Sequence, residues 1–142
     1  MLEVTHMSIR SVVVAAAALG AALAYNPVAT AADDAAAPAT IIVYRADESI
    51  KTSRLRPAIH INGGTVSRLD RDEVLVLERA PGASTLDSSM PGTEAITLDL
   101  KPGATYYVHS ELKMRGSQVE STLVEVEEQV ARVQQPDIGS AI

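Results

Sequence analysis

From Thr40 to Val126 the chain is a succession of short apolar runs in period-two alternation, each closed by Gly, Pro or Asp. That pattern constrains the fold more than any other feature, because side chains two apart line one face of a strand. The predicted strands are Thr40–Tyr44, Arg56–Asn62, Thr65–Leu69, Glu73–Glu78, Ala83–Leu86, Ala95–Leu100, Thr105–Leu112 and Val119–Val126. Gly63-Gly64 reads as a two-residue type I′ turn, which needs positive φ at both positions. Pro81-Gly82 and Pro102-Gly103 supply the φ values that tight turns require. Seven or eight such strands predict an all-β domain, an antiparallel two-sheet sandwich or a partly open barrel. Phe, Trp and Cys are absent, so the core must be built from aliphatic residues and the four Tyr.

Alternation assigns the faces. Ile59 and Ile61 lie opposite His60, and Ile96, Leu98 and Leu100 lie opposite Thr97 and Asp99. Val74-Leu75-Val76-Leu77 is apolar on both faces and reads as a central strand covered on both sides. Glu127 to Gln135 consists mostly of helix formers, with Val126, Val130 and Val133 at i, i+4 and i+7. A short C-terminal helix covering the sheet is expected there; an extension of the last strand is the alternative. Residues 136–142 read as a flexible tail after Pro136.

The first third has a different character. Arg10 precedes an uncharged run from Val12 to Tyr25, shorter than the about 20 residues of a membrane span and close to a signal-peptide h-region. Ala29-Thr30-Ala31 offers small residues for cleavage before Ala32, and Ala22-Leu23-Ala24 is the alternative. The expected organisation is a signal peptide over 1–31, an Ala-rich leader over 32–39 and a β-domain over 40–135. The start is either Met1 or Met7. Export to the periplasm or medium follows, with no stable membrane insertion after cleavage.

Several elements together carry a resemblance. They are Val43-Tyr44-Arg45, Ile59-His60-Ile61-Asn62-Gly63-Gly64, Ala80-Pro81-Gly82-Ala83 and the stretch from Leu98 to Val108 with its Pro102-Gly103 and Tyr106-Tyr107. Over roughly Ile41 to Gln134 this set resembles a family of small bacterial β-sandwich domains of unknown function, exported or lipid-anchored, related in pattern to PEGA-type domains. Members often carry a lipobox Cys. This chain has no Cys, so the resemblance implies a soluble periplasmic form. It supplies no activity and no catalytic residues.

Chemical motifs are sparse. The net charge of -6 disfavours nucleic-acid binding by charge, and no phosphate loop precedes a helix. No Gly-x-Ser-x-Gly elbow and no His-Glu-x-x-His pair occur. His60, His109 and Glu111 form a metal group only if their strands pair; otherwise the histidines are ordinary sheet residues. Asp70, Asp72, Glu127 and Glu128 read as solvated charges. Arg45, Arg54, Arg56, Arg68, Arg71 and Arg79 read as partners of nearby acids such as Asp47, Glu48, Asp70, Asp72 and Glu78. No cofactor and no metal are expected.

The expected function is that of a non-catalytic domain that binds an unknown envelope or extracellular protein. A structural subunit assembling through sheet edges is the alternative, and a hydrolase with a spatially assembled site is a third reading. The tight turns leave little side chain for recognition. The longer polar loops 47–56 and 87–94 are the expected contact regions, with Lys51, Arg54 and Arg56 as the binding residues.

Overall fold

A computed structural model describes residues 36–46 and 49–142. The expected signal peptide and most of the expected leader lie outside these residues, as do Asp47 and Glu48. Eight strands lie among the described residues: β1 (Ala39–Tyr44), β2 (Ala58–Ile61), β3 (Gly64–Arg68), β4 (Val74–Arg79), β5 (Gly82–Ser88), β6 (Ile96–Leu100), β7 (Thr105–Arg115) and β8 (Gln118–Val126). Two short helices follow, α1 (Glu128–Gln134) and α2 (Ile138–Ala141). The strands form two four-stranded sheets, ordered β4-β1-β7-β8 and β3-β2-β5-β6. The sheets pack face to face and do not close into a barrel.

One pairing departs from the antiparallel expectation. β1 and β7 are parallel neighbours, with Ile41 opposite Tyr106 and Val43 opposite Val108. Both strands enter their sheet from the same end. There the Thr40 amide donates to the Ala104 carbonyl at 2.9 Å and the Gly103 amide to the Ala37 carbonyl at 3.2 Å. Ala39, assigned above to the leader, is therefore fully buried as the first residue of β1.

The main core lies between the sheets. Ile41, Val43, Leu77, Val108 and Leu123 meet Ile59, Ile61, Leu86, Leu98 and Leu100. A second cluster lies on the outer face of the β4-β1-β7-β8 sheet. There Ile42, Tyr44 and Tyr107 pack under Ala131 and Ile138. The strand buried on both faces is thus β1, and the expectation that β4 holds that place is corrected. β4 is an edge strand, and Val76 on its outer face is 38% exposed. Its double apolar pattern arises because Leu75 and Leu77 face the main core while Val74 packs against the second cluster.

The helix is also corrected in detail. Val130 and Val133 face solvent, and α1 instead buries Ala131, with Gln135 and Ile138 following. Two consecutive glutamines fix this orientation. Tyr44 donates its hydroxyl to Gln134 Oε1 at 2.5 Å, and Gln135 Nε2 donates to the Asp72 carbonyl at 2.6 Å. The small Ala131 lets α1 come close to the sheet. The segment expected to be a flexible tail folds back as α2, with Ile138 fully buried.

The β2–β3 turn is shifted by one residue from Gly63-Gly64. Asn62 (φ 51°) and Gly63 (φ 81°) hold its two positive-φ positions, and Gly64 opens β3. Asn-Gly is the preferred pair for a type I′ hairpin. Asn62 also extends the sheet, because its backbone amide donates to the Thr85 carbonyl and its Oδ1 accepts from the Thr85 amide, both at 2.9 Å.

Burial pushes the Tyr44 phenol up to about 12 from its ordinary value of 10.0. The raised value favours the neutral phenol in the folded state, so its contribution is fully present below pH 10 and is lost as pH rises toward 12. Stability should therefore fall between these values by about 1.4 kcal/mol per pH unit, and Tyr44→Phe should flatten that slope. Denaturant unfolding at stepped alkaline pH checks this; equal slopes for both proteins would contradict it.

Candidate functional site

The two ends of the sandwich differ. Tight turns at Asn62-Gly63, Pro81-Gly82 and Pro102-Gly103 close one end. The other end carries the β1–β2 loop, the β3–β4 turn, the 89–95 loop and the β7–β8 hairpin turn. The Ala58 amide donates to Ser89 Oγ at 2.9 Å and the Ser89 amide returns a bond to the Ala58 carbonyl at 2.9 Å. The two longer loops thus meet on the base of β2.

Arg45 organises this end. It follows β1 directly and is fully buried. Its Nη1 donates to the carbonyls of Leu55 at 2.5 Å and Leu69 at 2.9 Å, and its Nη2 donates to the Thr52 carbonyl at 3.3 Å. A buried guanidinium is costly unless its donors are satisfied, and its planar fork serves several carbonyls at once. The sequence expectation for Arg45 concerned nearby acids; the structure adds that its side chain fastens the β1–β2 loop to the β3–β4 turn. Thr52 supports the same loop, donating Oγ1 to the Ser49 carbonyl at 2.9 Å.

The three proposed binding residues sit on or beside this fastened loop. Lys51 and Arg54 are exposed and form no ion pair among the described residues. Arg56 pairs with Asp70 at 2.5 Å, both side chains being substantially exposed. That pair matches the expected arginine–acid pairing, as does Arg71 with Asp72 at 3.4 Å.

The histidines are separated. His60 lies in the β3-β2-β5-β6 sheet and His109 in the other. The His60, His109 and Glu111 group is therefore not assembled. His60 Nδ1 contacts Thr65 Oγ1 at 3.0 Å. His109 stacks on Tyr44 with ring centroids 5.0 Å apart and planes 10° apart, and its buried Nε2 has no hydrogen-bond partner among the described residues. Tyr106 and Tyr107 do face opposite ways, as alternation requires. Tyr107 joins the second cluster, whereas the Tyr106 hydroxyl donates to the Asp99 carbonyl at 2.8 Å and accepts from the Lys101 amide at 2.9 Å. Tyr106 thereby pins the crossing from β6 to β7, a role like that of the tyrosine corner of other sandwiches.

The concave feature that joins a long loop to a sheet edge is a groove of about 720 Å³. Met90, Pro91 and Gly92 form one wall, and Gln118 to Thr122 of β8 form the other. An adjoining hollow of about 380 Å³ shares Gly92, Ser121 and Thr122 and continues to Glu94, Ile96 and Val124. β8 is the last strand of its sheet, so among the described residues its outer backbone edge has no strand neighbour. Ser121, buried behind the groove wall, has a hydroxyl with no hydrogen-bond partner among the described residues. A second cleft of about 690 Å³ lies where α1 meets β7 and β8, lined by Glu125, Glu127 and Glu128. Arg132 pairs with Glu128 there at 2.7 Å. The groove carries the site reading because it unites a strand edge without a neighbour among the described residues with one of the two long loops.

Sequence reasoning pointed to the 87–94 loop but missed β8 as its partner wall. Edge position is set by sheet order, which alternation does not report. Ser121 could have been singled out as a polar residue on an inward-facing position.

A scan against protein-family models finds no match, and comparison with curated proteins and with solved structures finds none either.

Arg45→Met should cost about 3 kcal/mol or more, since it leaves buried carbonyls without donors. Arg54→Met, at an exposed position, should change stability by no more than about 0.5 kcal/mol. Denaturant unfolding of the two variants checks the contrast; equal effects would contradict the fastening role of Arg45.

Proposed function

We propose that this chain is an exported, non-catalytic β-sandwich domain that binds another envelope or extracellular protein at the loop-bearing end of the sandwich. The observation that carries the reading is the groove between β8 and the 89–95 loop, with a strand edge that has no neighbour among the described residues. A protein ligand suits this surface, because it brings backbone donors and acceptors for the strand edge together with apolar side chains for the groove. The Arg45-fastened loop favours the same function. A loop held before binding loses less conformational entropy when a partner arrives. Lys51, Arg54 and Arg56 on and beside that loop are the proposed rim contacts. Export rests on Arg10, the Val12–Tyr25 run and Ala29-Thr30-Ala31, and the resemblance to exported PEGA-like domains points the same way. N-terminal sequencing of the protein recovered outside the cytoplasmic membrane should begin near Ala32.

Photo-crosslinking residues placed one at a time at Met90, Thr122 and Lys51 test the binding surface in cells, with Thr65 at the tight-turn end as control. Discrete adducts with one partner from the first three positions, and none from Thr65, are expected. No adduct from Met90 or Thr122, or equal adducts from Thr65, would overturn the reading. Charge reversal of Lys51 and Arg54 together should weaken capture; unchanged capture would remove these two residues from the surface.

A further inference from the structure

The four sheet edges differ in how open they are. β3 has five residues and a register irregularity where it pairs with β2. β6 also has five residues. β4 has six and packs against α2. β8 has nine residues in unbroken register with β7. A long, regular edge is the natural template for another strand. The groove and its adjoining hollow run along Gln118 to Val124. At about 3.3 Å per residue that length accepts an extended segment of roughly seven residues.

The charge of this path selects among occupants. Glu94 and Glu120 flank it, and among the described residues no Lys or Arg lines the groove or the hollow. Glu120 is met by Arg115 at 3.2 Å, at the hairpin end. Glu94 has no ion-pair partner among the described residues. A second copy of this chain is a poor occupant. Pairing two β8 edges adds the Glu120 and Glu125 of a second copy to a path already flanked by Glu94 and Glu120, in a chain whose net charge is -6. Like charges across a strand pair are destabilising. A strand with a basic residue answers the charge of the path.

We propose that the β8 groove takes an extended strand of a partner protein, added to the β8 edge, with a Lys or Arg of that strand set beside Glu94. The inference rests on the reading of the groove as the binding site. Backbone hydrogen bonds to β8 supply affinity that is indifferent to side chains. Met90, Pro91 and Ile96 receive the apolar side chains that face the groove. Glu94 supplies the preference for a basic residue. This is strand addition to an exposed sheet edge, with specificity set by alternate side chains.

The full chain, labelled with ¹⁵N, is titrated with three synthetic eight-residue peptides. One alternates valine and threonine and carries a central lysine; the second carries glutamate in place of that lysine; the third is the lysine peptide with alternate backbone amides methylated. The lysine peptide should shift the amides of Gln118–Val124 and of Met90–Ile96. The glutamate peptide should bind about fivefold or more weakly, and the methylated peptide should not bind. Glu94→Lys should reverse the order of the first two. Equal binding of the lysine and glutamate peptides, shifts mapping elsewhere, or no shift at millimolar peptide would overturn the proposal. So would a concentration-dependent dimer whose interface maps to β8. If crosslinks form at Met90 and Thr122 in cells while the lysine peptide does not bind, the strand mechanism fails and the binding surface stands.

Discussion

The burial of β1 on both faces is the constraint on which the rest of the structure depends. Ile41 and Val43 face the main core, and Ile42 and Tyr44 face the second cluster. A strand so placed has no solvent face, so its sheet needs a second cover. α1 and α2 supply it through Ala131 and Ile138, and Gln134 and Gln135 fix the helix by hydrogen bonds to the Tyr44 hydroxyl and the Asp72 carbonyl. Burying an aliphatic side chain of this kind contributes about 1.5–3 kcal/mol, which makes four successive buried side chains a large share of a small domain's stability. The parallel pairing with β7 belongs to the same arrangement, since it places a second long strand beside β1 at the centre of the sheet.

Arg45 connects that core to the surface. It is the first residue after β1, so its position is set by the best-buried strand. Its guanidinium reaches the carbonyls of Thr52, Leu55 and Leu69. The loop that carries Lys51 and Arg54 is thus a direct extension of the core. The opposite wall of the same end is less constrained, because the β8 edge has a strand on one side only.

Much of the fold was legible because alternation reports which face each residue occupies. The eight strands, the opposed faces of Tyr106 and Tyr107 and the inward set Ile96, Leu98 and Leu100 all follow from period two. Sheet order does not. Val74 to Leu77 and Ile41 to Tyr44 are both continuous apolar runs, and nothing local distinguishes an edge strand beside a helix from a central one. The valines of α1 misled for a related reason. Their spacing describes one helix face, but Ala131 on another face permits the closer approach, and the glutamine hydrogen bonds select it. Of the site, the 87–94 loop was legible from its length and polarity. Its pairing with β8 was not, because the two are joined only by packing across the sandwich. The burial of Arg45 was not legible, because arginine is seldom fully buried unless its donors are met, and the carbonyls that receive them come from the β1–β2 loop and the β3–β4 turn.

Native-state hydrogen exchange on the full chain tests the central claim, that β1 is the doubly covered heart of the fold. The amides of Ile41 to Tyr44 and their β7 neighbours should be the slowest to exchange, opening only with global unfolding, while those on the free edge of β8 exchange by local fluctuation. Exchange in β1 as fast as in β3 would contradict the account.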